Sequence, residues 1–175
     1  MVSLTFAAPI DDPIDGEVEV WLRVAGFQLL GTIRDRGQSA PRPGTGLMTL
    51  PIDLAIWGLV ALRQAVREGR GAYPFPDGGD LLFKKQGDRL LLHVTGHARR
   101  EAGVVVGLAA ASLEREWQAF AERLREALAI RKSPLLADPD WRYLAVEPEP
   151  PATYWRTAFA GHEKCFMSVK AIEEE

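Results

Sequence analysis

The sequence predicts an α+β fold: an antiparallel sheet of four to five strands, two main helices packed on one face of it, and an extended carboxyl-terminal arm. Three observations predict this class. Two pairs of strand-like segments are each joined by a short turn, as in β-hairpins. Two longer segments repeat apolar residues at helical spacing. Hairpins and helices do not alternate strand by strand, which favours an antiparallel sheet over a parallel one.

The first hairpin is predicted from the strict alternation of residues 17–24. Residues 25–26 make its turn, and residues 27–34 form the returning strand. A third strand is predicted over residues 2–6. The apolar residues that share one face of the first long strand are Val18, Val20, Leu22 and Val24.

The first helix follows a loop over residues 35–46, which offers nothing for a core. Thr49 is expected to cap the helix, Pro51 fits its first turn, and Asp53 suits the positive end of its dipole. Gly69 is expected to end it. The broad apolar face between these signals predicts a mostly buried helix.

The second hairpin follows a rigid aromatic loop predicted over residues 73–79. Its strands are expected at residues 80–85 and 89–95, joined by a turn at residues 86–88. Residues 103–108 offer one more strand, because they are rich in valine and leucine.

A long amphipathic helix is predicted from Ser112, its expected cap, to about Ile130. Pro134 lies just beyond its end. The apolar residues of its inner face are spaced three or four apart: Leu113, Trp117, Phe120, Leu124 and Leu128.

The end of the chain changes character. A turn is predicted at residues 138–141, a short strand or extended piece at residues 142–146, and a stiff proline-rich spacer at residues 147–151. We therefore expect one domain over residues 1–146 and an arm over residues 147–175. The arm is too apolar for a solvated tail, so it must pack on the domain, on a second copy or on a partner. Its large apolar residues are Tyr154, Trp155, Phe159, Phe166 and Met167.

The charge and cysteine content exclude several classes of function. The 175 residues carry a net charge of −3, which argues against nucleic acid as a partner, since binding to a phosphate backbone calls for a basic surface. The single Cys165 excludes an internal disulfide and fits a reducing compartment.

No apolar run approaches the roughly 20 residues that span a bilayer. Residues 1–9 have no signal-peptide pattern. We expect a cytoplasmic protein that makes no membrane contact.

The candidate catalytic and metal-binding residues do not form a convincing constellation. His93 and His97 would lie about 13 Å apart on an extended strand, too far for one zinc ion unless a turn brings them together. His162 and Cys165 follow the spacer, a poor place to activate a thiol. Residues 42–46 are glycine-rich but lack the Lys-Ser/Thr of a phosphate-binding loop. We expect no cofactor and no metal, and the balance is against an enzyme.

Acidic residues are concentrated around the first predicted strand. Residues 1–30 hold five acidic residues and one basic residue, a local charge of −4, so the rest of the chain sums to +1. The five are Asp11, Asp12, Asp15, Glu17 and Glu19. Trp21 shares a strand face with two of them, and a partly exposed tryptophan among carboxylates is typical of a protein-binding patch.

Two roles are open for the arm. In the first its aromatic residues form a second part of this patch, and in the second they cover it. In the second case Tyr154, Trp155 and Phe159 would lie over Trp21 and bury it. The residues predicted to bind a partner are Asp15, Glu17, Glu19, Trp21, Tyr154 and Trp155.

The order of elements over residues 17–130 is a hairpin, a tryptophan-containing helix, a hairpin and a long amphipathic helix with Trp117-Gln118-Ala119-Phe120. This order resembles that of small α+β immunity proteins of bacterial toxin systems. The resemblance implies a non-catalytic cytoplasmic protein that occupies the active site of a toxin. The acidic first strand would suit a basic, nuclease-like target. No residue role is carried over, because the resemblance lies in the element order.

Three functions follow from these observations. The leading hypothesis is a non-enzymatic protein-binding domain, of the immunity or antitoxin-like kind, whose partner is another protein such as a basic toxin or enzyme. The first alternative is a homo-oligomeric accessory or structural subunit assembled through the arm. The second alternative is a small-molecule-binding protein or enzyme with a pocket between sheet and helices, near His93, Tyr73 and Asp80.

Overall fold

The computed structural model describes residues 2–7, 16–24, 27–30, 46–76, 78–96, 105–151, 153–167 and 171–172. The elements are β1 (Val2–Phe6), β2 (Val18–Val24), β3 (Phe27–Leu30), β4 (Leu47–Thr49), α1 (Pro51–Glu68), β5 (Arg70–Pro74), β6 (Asp80–Gln86), β7 (Arg89–Val94), β8 (Val106–Ala109), α2 (Ala110–Ile130), α3 (Trp155–Ala158) and β9 (Ala171–Ile172). Within the described ranges, 3₁₀ helices lie at Pro134–Ala137, Pro139–Leu144 and Glu163–Met167.

The described strands confirm the α+β class and form two sheets. In the first sheet β1 pairs with β2 in antiparallel register, from Val2 opposite Val24 to Phe6 opposite Val20. β3 and β4 pair with different halves of the other edge of β2. The second sheet has the order β5-β6-β7-β8-β9 and is antiparallel except between β8 and β9. The predicted single sheet of four to five strands included both hairpins, whereas the structure places the first hairpin in a separate sheet.

Both main helices pack on one face of the second sheet, as predicted, and α2 also contacts β1 of the first sheet. The predicted inner face of α2 is confirmed, because its residues are all fully buried: Leu113, Trp117, Phe120, Leu124 and Leu128. The Trp117 indole Nε1 donates a hydrogen bond to the Leu54 carbonyl oxygen at 2.9 Å. Its ring meets the Phe83 ring edge-on, with the centroids 5.7 Å apart. Trp117 thus ties α2 to both α1 and the second sheet.

The helix ends differ in part from the predicted caps. Gly69 ends α1 in a left-handed conformation, with φ of 93°, as predicted. Thr49 does not cap α1, since it belongs to β4 and Leu50 takes the cap position without a side-chain hydrogen bond. Ser112 does not cap α2 either, because β8 runs directly into a helix that begins at Ala110. There the backbone N–H of Ala110 donates to the Asp88 carbonyl oxygen at 3.2 Å. This hydrogen bond satisfies one of the N–H groups that have no partner within the helix, without a polar side chain as a cap.

Other predictions need correction. The start of the predicted aromatic loop forms β5, and the strand predicted at residues 142–146 is replaced by the end of the 3₁₀ helix Pro139–Leu144. His93 is only 2% exposed, because helices cover one face of its sheet and the arm covers the other. The following predictions lie outside the described residues: Asp11, Asp12, Asp15, the turn at 25–26, strand residues 31–34, the loop at 35–45, residue 77 of the aromatic loop, His97 and residues 103–104.

The described part of the arm folds into short helical turns against the outer face of the second sheet, rather than remaining extended. Phe159 and Phe166 stack with their ring centroids 5.5 Å apart and pack over Leu82 and Leu91. The Glu163 carboxylate bridges two strands, lying 2.5 Å from Arg70 Nε and 3.3 Å from Lys84 Nζ. These cations hold the pKa of Glu163 below its ordinary value. The domain boundary at residue 146 stays a prediction.

Within the described residues, neither α1, α2 nor any shorter helix combines the length and apolar character needed to cross a membrane.

Candidate functional site

Trp21 is buried, with 4% of its surface exposed, so the alternative of a partly exposed aromatic anchor is wrong. Its ring packs against the chain that enters β4. A Cβ atom added to Gly46 would lie 3.0 Å from Trp21 Cε2 and 2.7 Å from Glu19 Cβ. The alternative in which the arm covers Trp21 is also wrong, because the aromatic residues of the arm pack on the second sheet and not on Trp21.

The predicted partner-binding residues fall in two separate places. Glu17 is exposed and Glu19 is half-buried, both on the first sheet. Tyr154 and Trp155 lie in the arm, where the Trp155 indole N–H is buried without a hydrogen-bond partner among the described residues. Asp15 lies outside the described residues. Whether any of these residues binds a partner stays a prediction.

A pocket of about 480 Å³ lies between α1, the open edge of β5 and the arm. We call it the α1–β5 pocket. Four aromatic side chains line it: Trp57, Tyr73, Phe75 and Tyr154. Its other lining residues are Asp53, Val60, Ala61, Gln64, Ala72, Pro74 and Pro76. Most of its wall is therefore apolar, with a few polar groups placed among the rings.

The sequence builds this pocket through a close contact between α1 and β5. A Cβ atom added to Gly71 would lie 1.9 Å from the Ala61 carbonyl oxygen, so only glycine allows this approach. Among the described strands β5 pairs with β6 alone, which leaves its other edge open beside α1. The Tyr73 and Phe75 rings, which follow Gly71 at alternate positions, meet edge-on at 5.3 Å.

Asp53 supplies the carboxylate of the pocket. It lies at the solvent-exposed rim, in the first turn of α1. Partial burial raises the pKa of Asp53, and the negative charges of Asp138 and Asp140 raise it further. Asp138 also lines a smaller hollow of about 180 Å³ on which Asp53 borders. The rim around Asp53 is therefore an electronegative region.

The two phenols lie in different surroundings. Burial raises the pKa of Tyr73, with a smaller contribution from the charge of Asp53. Tyr154 is 42% exposed, and its hydroxyl donates a hydrogen bond to Asp80 Oδ1 at 2.5 Å. Desolvation raises the pKa of Tyr154 to about 12, and this hydrogen bond adds to the effect. Both hydroxyls stay protonated at neutral pH, and the single proton of the Tyr154 hydroxyl is donated to Asp80.

The pocket matches the sequence hypothesis of a site between sheet and helices only in part. Tyr73 lines it, and Asp80 anchors one of its walls through Tyr154. His93 is not a lining residue, since it lies beneath the arm with its ring 5.9 Å from that of Phe166. Trp57 was missed because its spacing in α1 indicates a core position. It is half-buried, and its ring packs against the Tyr143 ring with the centroids 5.1 Å apart.

No three His, Cys, Asp or Glu side chains of the described residues are grouped so that they could hold a metal ion. Comparison of the chain with protein-family models, with curated proteins and with solved structures found no match.

Proposed function

We propose that this chain is a binding protein for a small organic molecule held in the α1–β5 pocket. The observation that carries the proposal is the combination of size and lining. A volume of about 480 Å³ falls within the range of small-molecule sites, which are typically lined by apolar and aromatic side chains with a few polar groups that orient the ligand. Four rings, one carboxylate and one amide meet that description.

Each wall of the pocket is held by its own contacts, which supports a site that exists before the ligand arrives. α1 is fixed by its buried face, and Trp57 is backed by Tyr143. The arm is positioned by the hydrogen bond from Tyr154 to Asp80. Binding to such a site costs less ordering entropy than binding to a flexible surface.

The protein-binding function, of the immunity or antitoxin-like kind, stays a prediction, and so do assembly through the arm and the cytoplasmic location. Glu17 remains exposed and could steer a basic partner. Its expected companion Trp21 is buried, however, and hot spots need an accessible aromatic anchor. The geometry therefore favours the pocket over the acidic strand.

A fragment screen monitored by thermal unfolding tests the proposal. A compound at 100 times its Kd adds about 2.7 kcal/mol to the free energy of unfolding. For a chain of this size that corresponds to a rise in Tm of roughly 5 to 10 °C. We expect hits on the wild type that are lost in Val60→Phe, because the added ring occupies the pocket that Val60 lines.

The matched control is Val146→Phe, which makes the same change at a side chain that is 62% exposed and outside the pocket lining. It should keep every hit. Circular dichroism checks that Val60→Phe folds. If it does not, Tyr154→Ala removes one wall at an exposed position and should weaken the same hits. Hits that survive both pocket variants, or a screen without hits, would contradict the proposal.

A further inference from the structure

We infer that the α1–β5 pocket takes an organic cation: an ammonium group carried on an apolar, ring-bearing body, with the charge directed to Asp53 and the body held among the four rings. This inference rests on the proposed function and adds the chemical class of the ligand. It is carried by the charges around the pocket and by the aromatic side chains that line it.

Asp53 is the only charged side chain among the described residues that line the pocket. The nearest arginines of α1 have other partners. Arg63 Nε lies 2.8 Å from Glu114 Oε1, and its Nη1 donates to the Leu144 carbonyl oxygen at 2.5 Å. Arg67 pairs with Glu68 and with Glu147. Asp53 therefore has no cation of its own helix as a partner, and a ligand could supply one.

The surroundings of Asp53 select the sign of the ligand charge. Partial burial is the main cause of the raised pKa of Asp53, and the negative charges of Asp138 and Asp140 raise it further. An anionic ligand would face this field without a compensating cation in the described lining. A cation would relieve the repulsion among the three carboxylates.

The aromatic walls suit the same kind of ligand. Ring faces attract ammonium and guanidinium groups, most strongly for tryptophan and tyrosine. Elsewhere in this protein such pairs are already formed, for example Arg125 over Trp141 at 5.5 Å and Lys84 over Phe166 at 5.6 Å. No described Lys or Arg lies over the four rings of the pocket: Trp57, Tyr73, Phe75 and Tyr154. Tyr154 is 42% exposed and Trp57 is half-buried, so these two rings can meet a cation from outside, whereas Tyr73 and Phe75 are almost fully buried and form the floor of the site.

Isothermal titration with three probes on one skeleton tests the inference: tryptamine, tryptophol and indole-acetate, which are cationic, neutral and anionic at neutral pH. We expect the affinity for tryptamine to exceed that for tryptophol by about tenfold, the scale of a partly desolvated cation–π contact with a nearby carboxylate. Indole-acetate should bind more weakly than tryptophol.

Asp53→Asn should reduce the advantage of tryptamine by about fivefold and leave the affinity for tryptophol unchanged. Glu126→Gln is the matched control, because it removes one negative charge from an exposed position on α2 and should leave all three affinities unchanged. Both variants keep a side chain of nearly the same size, and circular dichroism confirms that they fold.

The outcomes separate the inference from the proposed function. Equal binding of tryptamine and tryptophol, or a tryptamine affinity unaffected by Asp53→Asn, overturns the inference but leaves a neutral ligand in the same pocket. A further probe is Nα-acetyl-lysine amide, a cation without a ring. If it binds as tightly as tryptamine or more tightly, the requirement for a ring-bearing body is overturned. Binding of none of the probes, together with a fragment screen without hits, overturns the proposed function itself.

Discussion

Replacing Gly71 by alanine is expected to lower the free energy of unfolding by about 3 kcal/mol, the upper end of what overpacking usually costs. The added Cβ would lie 1.9 Å from the Ala61 carbonyl oxygen, 2.8 Å from its carbon and 3.2 Å from the backbone nitrogen of Ala65. These are backbone atoms of a buried helix, so they cannot rotate away as a side chain could. The clash is relieved only if α1 moves away from β5.

Urea denaturation measures this effect, with Gly16→Ala as the control. A Cβ atom at Gly16 meets nothing within 4 Å, so this variant should stay within about 0.5 kcal/mol of the wild type. Since Ala61 also lines the α1–β5 pocket, Gly71→Ala should lose affinity for any pocket ligand as well. Equal stabilities of the two variants would mean that α1 and β5 are further apart than described.

Trp117→Ala is expected to lower the free energy of unfolding by about 3 to 5 kcal/mol, as is typical when a large buried side chain is removed. Trp117 is fully buried, and a Cβ added to Gly58 would lie 2.7 Å from its Nε1, so α1 approaches the ring closely. The variant would leave a cavity between α1, α2 and the second sheet. It would also remove the hydrogen bond to the Leu54 carbonyl oxygen.

Trp117→Phe is the intermediate variant in the same denaturation experiment. It keeps an aromatic ring and loses the indole N–H, so it should cost less than Trp117→Ala. Ile130→Ala serves as the control for trimming α2, because Ile130 is 84% exposed and should contribute less than about 0.5 kcal/mol. A cost for Trp117→Ala no larger than that of Ile130→Ala would show that the core is not organised around Trp117.

The elements that the sequence predicts best are those specified by local spacing. The inner face of α2 follows from apolar residues spaced three and four apart. Gly69 ends α1 because glycine adopts the left-handed conformation with the least strain. The pairing of strands, in contrast, is not specified by local spacing. The pairing of β4 with β2 joins Thr49 to Val18, positions separated by a long connection, and no local pattern encodes that choice. This is why two sheets were not distinguished from one.

The candidate site was predicted less well, because it is assembled from three distant parts of the chain. Tyr73 and Phe75 stand out in the sequence, but beside prolines they indicate a loop rather than a pocket wall. Trp21 among carboxylates indicates an exposed anchor, whereas its burial depends on the non-local contact with Gly46. Tyr154 reaches the pocket only because the arm folds back on the second sheet.

The most direct test of the central claim, that the α1–β5 pocket is the functional site, is an amide chemical-shift titration of the ¹⁵N-labelled protein with tryptamine. We predict that the perturbed amides cluster in residues 53–64, in residues 72–76 and around Tyr154, with saturation at a single Kd. Perturbations confined to β2 around Glu17 and Glu19, or spread over the surface without saturation, would contradict the claim.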